Sequence, residues 1–408
     1  MLDQGRLIQA KWSLRATFFF MGVAVSATSA RMAEVQHHVG ASDTLFGYAI
    51  MVGNIGSIVG NLFGNKILNH IGTKHLAQLV MFGIVASQIS YGFSRYLWQI
   101  PLIAFFAGAT YSLMNVACNS QGTMIQKNIG RSLMPSFHGS WSVGAFSASL
   151  LAGFLAKHVA LEWHLLANGL IALFGCMAVS QALLPTAVDK LNKSENAEVA
   201  SHDPLPDHIK KFIFWVALGS LLATITETSV SDWSSIFLNN NLKIPIGLNT
   251  LGYTSFVLPQ IAGRLTMGKL IDKHGIPKVI KFGGIIGGVG YIAGLLIADS
   301  IHLHHKYGAL IAMCLAYGIL GYGISPMPPS YASVAGSIPG IPTSRGIARM
   351  AVIASTGFFI GRFIISSLAG LIGLQYALLF PASTLIISGF ISYRLNHDRI
   401  KNPVLIDK

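Results

Sequence analysis

Twelve runs of mostly apolar residues recur along this chain, near 14–32, 43–64, 76–94, 100–122, 136–157, 163–184, 212–236, 249–270, 279–299, 308–333, 347–371 and 373–393. A helix needs about 20 such residues to cross the hydrocarbon core of a bilayer. In that solvent each backbone N–H and C=O must find a partner inside the protein, which a helix does within its own segment. The runs therefore predict an all-α integral membrane protein with twelve transmembrane helices. Composition agrees: 11% of the residues are charged, against roughly 25% in a soluble domain. The first run, Leu14 to about Ala30, leads into Arg31, Glu34, His37 and His38 without a small-residue cleavage site. It is expected to be the first span and not a signal peptide.

The formal net charge of +13 would suggest nucleic acid in a soluble protein. Its distribution says otherwise. With both termini cytoplasmic, twenty Lys and Arg fall on the inner side, among them Arg6, Lys11, Lys66, Lys74, Lys127, Arg131, Lys210 and Lys211. The outer loops hold five: Arg31, Arg95, Lys157, Lys243 and Lys306. Cationic loops stay on the cytoplasmic side, so the excess reports topology. One long hydrophilic stretch, residues 189–211 with Lys190, Lys193, Glu195, Glu198, Pro204 and Pro206, reads as a cytoplasmic linker. It separates two six-helix bundles, 1–188 and 212–408.

An internal repeat supports the two halves. Asn65-Lys-Ile-Leu-Asn69-His-Ile-Gly72 follows the second run, and Gly268-Lys-Leu-Ile-Asp272-Lys-His-Gly275 follows the eighth, 203 residues later. The second copy resembles the signature loop of the major facilitator superfamily, G-x-x-x-D-[RK]-x-G, at Gly268, Asp272, Lys273 and Gly275. The first copy departs from it, with Asn65, Asn69 and His70 at defining positions. Glycine permits a tight turn, and the aspartate can meet a helix N-terminus and a neighbouring cation. Asn69, Gly72, Gly268, Asp272, Lys273 and Gly275 are therefore candidate gating residues, with an ordinary basic turn as the alternative. Three further stretches, Asn115–Gly122, Ser136–Gly144 and Glu227 with Asp232-Trp233-Ser234, resemble a bacterial branch near the fucose permeases. The resemblance implies two pseudo-symmetric bundles, location in a bacterial inner membrane, and proton-driven symport of a small polar solute such as a sugar by a sufficient monomer.

Ionisable groups at mid-membrane depth are costly and mark function. Glu227 lies 16 residues beyond Lys211, about 24 Å of helix rise, and Arg362 lies 13 beyond Arg349, about 20 Å. The two are expected to face one cavity and to pair when it is empty, with Glu227 carrying the proton. The branch usually has proline where Arg362 stands, which points toward an anionic solute. Asp232 and Trp233 are candidates for solute contact or for an outer-end cap and interface anchor. Asn115 and Asn119, at i and i+4 on one face, suit either solute binding or helix gluing.

His138 reads as a packing histidine near the cytoplasm, with a proton relay as the alternative. Glu34 reads as a solvated loop charge, with an outer gate as the alternative. Gly56, Gly60 and Gly64 form a ridge for sliding or static contact. Pro326, Pro328 and Pro329 are expected to bend the tenth helix. Cys118, Cys176 and Cys314 show neither metal-ligand spacing nor a disulfide framework. No nucleotide-binding glycine loop or catalytic domain is visible, so neither enzyme activity nor a cofactor is expected. An efflux antiporter on the same fold remains a rival, though the fifth run lacks an internal proline. A transporter-like sensor is the rival of another class.

Overall fold

The computed structural model describes residues 4–130, 133–185, 205–338 and 343–395. Residues 189–204 of the expected linker lie outside them, as do Arg131, Arg399, Lys401 and Lys408. Helices follow one another throughout: α1 (Gln4–Ala30), α2 (Met32–His38), α3 (Asp43–Ile71), α4 (Thr73–Phe93), α5 (Gln99–Ile129), α6 (Met134–Leu155) and α7 (Leu161–Ser180). The second series is α8 (Asp207–Asn240), α9 (Leu251–His274), α10 (Ile276–Ile301), α11 (Lys306–Ile324), α12 (Met327–Gly336), α13 (Thr343–Ile372), α14 (Leu374–Ala377) and α15 (Leu379–Ile391). All twelve expected runs fall on helix, and the described residues contain no strand. Among them, eight spans are long and apolar enough to cross a membrane, and α1 with α2, bent by 53°, makes a ninth. The helices α6 and α9 fall short because Ser136, Ser140 and Ser142, or Gln260 and Arg264, interrupt their apolar sequence. The chain groups into two compact units, one holding α1–α7 with Ile246–Thr250, the other α8–α15.

Apolar contact between helices gains little in lipid, so small residues and hydrogen bonds must hold each unit together. In the first unit, the Gly56 Cα lies so close to Phe105 that a methyl group would strike its carbonyl oxygen. A Cβ on Gly60 would come 2.6 Å from the Ala109 oxygen. Gly56 and Gly60 of the α3 ridge are thus seated against the α5 backbone, while Gly64 faces the Val116 side chain. Ser13 Oγ donates to the Val179 carbonyl at 2.6 Å, and Asn168 Nδ2 to the Val23 carbonyl at 3.1 Å, fastening α7 to α1. In the second unit, Ser388 Oγ donates to the Gly219 carbonyl at 2.8 Å and lies 2.8 Å from the Tyr331 hydroxyl. That joins α8, α12 and α15.

The repeated turns have matching backbones. Gly72 (φ 82°, ψ 162°) ends α3 and begins α4, and Gly275 (φ 80°, ψ 154°) ends α9 and begins α10. Each donates its N–H over 2.8 Å to the carbonyl four residues back, Leu68 or Ile271. Glycine adopts this positive φ without the clash that a Cβ would bring. The tenth run is broken between α11 and α12 at Ser325 and Pro326, with Pro328 and Pro329 in the first turn of α12. There a missing N–H costs no helical bond. Ser325 Oγ donates to the Tyr322 carbonyl at 2.7 Å, satisfying an acceptor at the break.

Glu34 corrects the sequence reading. The bend between α1 and α2 folds it onto Arg31, which donates to both carboxylate oxygens, through Nε at 2.7 Å and through Nη2. Arg31 is 1% exposed, and both terminal nitrogens also reach the Val159 carbonyl at 3.2 Å. Neither residue is a solvated loop charge, because each supplies the other's counter-charge inside the bundle.

Candidate functional site

The long helix α8 presents two carboxylates in sequence. From Glu227 to Asp232 is five residues, about 7.5 Å of rise and about 140° around the helix. The two therefore address different neighbours, Glu227 facing α9 and Asp232 facing α13.

Asp232 is 5% exposed. Arg362 of α13 meets it as a two-pronged fork, Nε to Oδ2 at 2.5 Å and Nη2 to Oδ1 at 3.0 Å. A bidentate guanidinium–carboxylate pair is the strongest arrangement these two side chains can make. It ties α8 to α13 and leaves neither charge bare in a low-dielectric setting. Trp233, the next residue, is fully buried, and its indole N–H has no partner among the described residues.

Glu227 is more open. Its Oε1 accepts from Gln260 Nε2 at 3.0 Å and from Arg264 Nη2 at 3.5 Å, both on α9. The Glu227 and Arg264 side chains are 28% and 22% exposed. Gln260, 1% exposed, sits one turn from Arg264 on the same face of α9. A carboxylate held by one amide and one long ionic contact can exchange partners with a smaller geometric change than the fork on Asp232.

The expected Glu227–Arg362 pair is therefore not formed. Each has another partner, because rotation around α8 turns Glu227 away from α13. Sequence reasoning missed Arg264 and Gln260 altogether. The signal was present: an arginine inside the eighth apolar run, four residues after a glutamine.

The remaining candidates lie elsewhere. In the first unit, Asn115 and Asn119 share a face of α5. Asn115 Nδ2 donates to the Tyr111 carbonyl at 3.0 Å, while Asn119 Oδ1 is buried with no partner among the described residues. His138 is exposed on α6, its ring 5.1 Å from that of Phe18. Asn69, Asp272 and Lys273 are exposed at the ends of α3 and α9. Within its own unit Asp272 makes no hydrogen bond or ion pair among the described residues.

Residues 13–345 match the family model described as the Major Facilitator Superfamily. The membrane protein MosC of Rhizobium meliloti is 22% identical over 387 residues, covering 95% of this chain and 90% of that protein. An uncharacterised MFS-type transporter of Yersinia pestis is 24% identical over 383 residues, covering 91% of both. Among solved structures, a D-xylose–proton symporter superposes with a TM-score of 0.72 at 12% identity, covering 95% of this chain and 97% of that one. A nucleoside transporter, NupG, superposes with a TM-score of 0.68 at 14% identity, covering 96% and 98%.

Proposed function

Because the chain belongs to the Major Facilitator Superfamily and is a multi-pass membrane transporter, we propose that it carries a small neutral polar solute, a sugar or a compound of like chemistry, in symport with a proton. Alternating access in a bacterial inner membrane is the mode of transport. The observation that carries this reading is the partly exposed Glu227, held by Gln260 at 3.0 Å and by Arg264 at 3.5 Å. A proton taken up by Glu227 cancels the charge that occupies Arg264. The guanidinium and the Gln260 amide can then turn donors toward hydroxyl oxygens of the solute. Release of the proton restores the pair and expels the solute, which couples the two fluxes.

The same geometry favours a neutral cargo over an anionic one. Both arginines of this region face a carboxylate, so an anionic solute would have to displace one from its partner. The named cargoes of the two solved neighbours, a sugar and a nucleoside, are of the uncharged class. Asp232 with Arg362 is assigned to holding α8 on α13, and Trp233 to the packing beside them. Asn115 and Asn119 are assigned to solute binding in the first unit. The turns with Asn69 and Gly72, and with Gly268, Asp272, Lys273 and Gly275, are assigned to gating, and the break at Pro326, Pro328 and Pro329 to helix bending.

The test is solute-induced proton uptake into proteoliposomes, screening neutral sugars against small organic anions. Glutamine imitates the protonated acid, so Glu227→Gln is expected to bind solute and to lose coupled proton flux about 100-fold, the scale of losing a positioned proton carrier. Full proton coupling in Glu227→Gln would overturn the reading. A signal confined to anions would move the cargo to acids.

A further inference from the structure

The second unit contains a cavity of about 1070 Å³ that the transport reading does not use. That is at the top of the ~300–1,000 Å³ range of small-molecule sites. It is a cleft between α9 and α10, floored by α11. Its rim carries Phe282, Ile286, Ile311 and Leu315, each more than half exposed. From His274 to Leu251 along α9 the lining extends about 34 Å by helix rise, the depth of a bilayer's hydrocarbon core.

The distribution of polar atoms in this lining is one-sided. Inside the cleft, Ser255 bonds Cys314, and the Tyr322 hydroxyl lies 3.1 Å from Thr266 Oγ1, so these groups already have partners. The remaining polar side chains, His274 and Lys278, stand together at one end, at the turn between α9 and α10. Both are exposed, and neither has a hydrogen bond or ion pair among the described residues. A wholly apolar guest has no use for a cation at one end of its site. A polar solute has no use for the rest.

We infer that this cleft is a site for an anionic phospholipid, its acyl chains along α9, α10 and α11 and its phosphate on Lys278 and His274. Charge complementarity selects the occupant. Lysines at the cytoplasmic ends of membrane helices attract anionic headgroups at about 1 kcal/mol each, and basic pockets between such helices are a recurring headgroup site. Acyl chains in the cleft cover apolar surface without adding a polar group that lacks a partner.

The experiment is native mass spectrometry of the purified, delipidated protein. It is offered equal amounts of phosphatidylglycerol and phosphatidylcholine with identical acyl chains. One phosphatidylglycerol per chain is expected to be retained, about fivefold over phosphatidylcholine, the worth of one lysine against an anionic headgroup. Replacing both residues, Lys278→Ala with His274→Ala, should abolish the preference, and Lys278→Arg should keep it. Both sites are exposed, so these variants should fold. Leu315→Trp, which fills the cleft, should reduce retention of both lipids. Equal retention by the unaltered protein would overturn the assignment, as would an unchanged preference in the alanine pair. Displacement of the lipid by excess glycerol phosphate would also overturn it, by showing a site for free phosphate esters. So would a dimer lost on filling the cleft, which would make the occupant a second copy of the chain.

Discussion

Helix α8 carries two acid–arginine contacts five residues apart, and they are built to different standards. Asp232 is buried, and Arg362 grips both its oxygens at 2.5 and 3.0 Å. Glu227 is partly open, and Arg264 reaches one oxygen at 3.5 Å. In the proposed mechanism, the same pair of functional groups serves two purposes on one helix. A buried fork is rigid because breaking it strands a charge away from water. A part-exposed single contact is exchangeable because water and a neighbouring amide share the charge. A transporter needs both, one to keep its helices assembled and one to change partners during each cycle.

Three measurements test this contrast. The largest effect is expected from Arg362→Ala, which leaves Asp232 buried without its counter-charge. Unfolding of the purified protein should come about 3 kcal/mol sooner. A loss below about 1 kcal/mol would place Asp232–Arg362 in the same class as the Glu227–Arg264 contact. Next is Arg264→Gln, expected to cost at most about 1 kcal/mol of stability while uncoupling proton from solute flux. A large stability loss here would make Glu227 structural. Smallest is the response to salt. Raising the concentration from about 0.1 to about 0.5 M should erase most of the stability difference between the native protein and Arg264→Gln. It should leave that of Arg362→Ala nearly intact, because buried pairs are screened far less.

How much of this could be read beforehand depends on which physical quantity was needed. The twelve runs were legible because hydropathy depends on composition alone, and lipid permits little besides helix. Gly72 and Gly275 were legible because two turns with the same shape call for the same residue at the same register. The partner of Arg362 was not legible, since counting helix rise says nothing of azimuth: five residues along α8 separate Glu227 from Asp232 by about 140°. Arg31 and Glu34 were misjudged for a related reason. Their burial depends on the bend between α1 and α2 and on the Val159 carbonyl, 128 residues away in sequence. Arg264 was visible and went unread, although the rule that singled out Glu227 applies to it equally.

The turns at Gly72 and Gly275 have one more consequence. Each glycine is at once the last cap of one helix and the first cap of the next, so there is no connecting segment to absorb a change in length. One residue inserted at either place would advance the following helix by about 1.5 Å and rotate it by about 100°. Every contact on α4 or on α10 would be thrown out of phase. These joints behave as keyed couplings: a change of length at either one is carried straight into the register of the helix that follows.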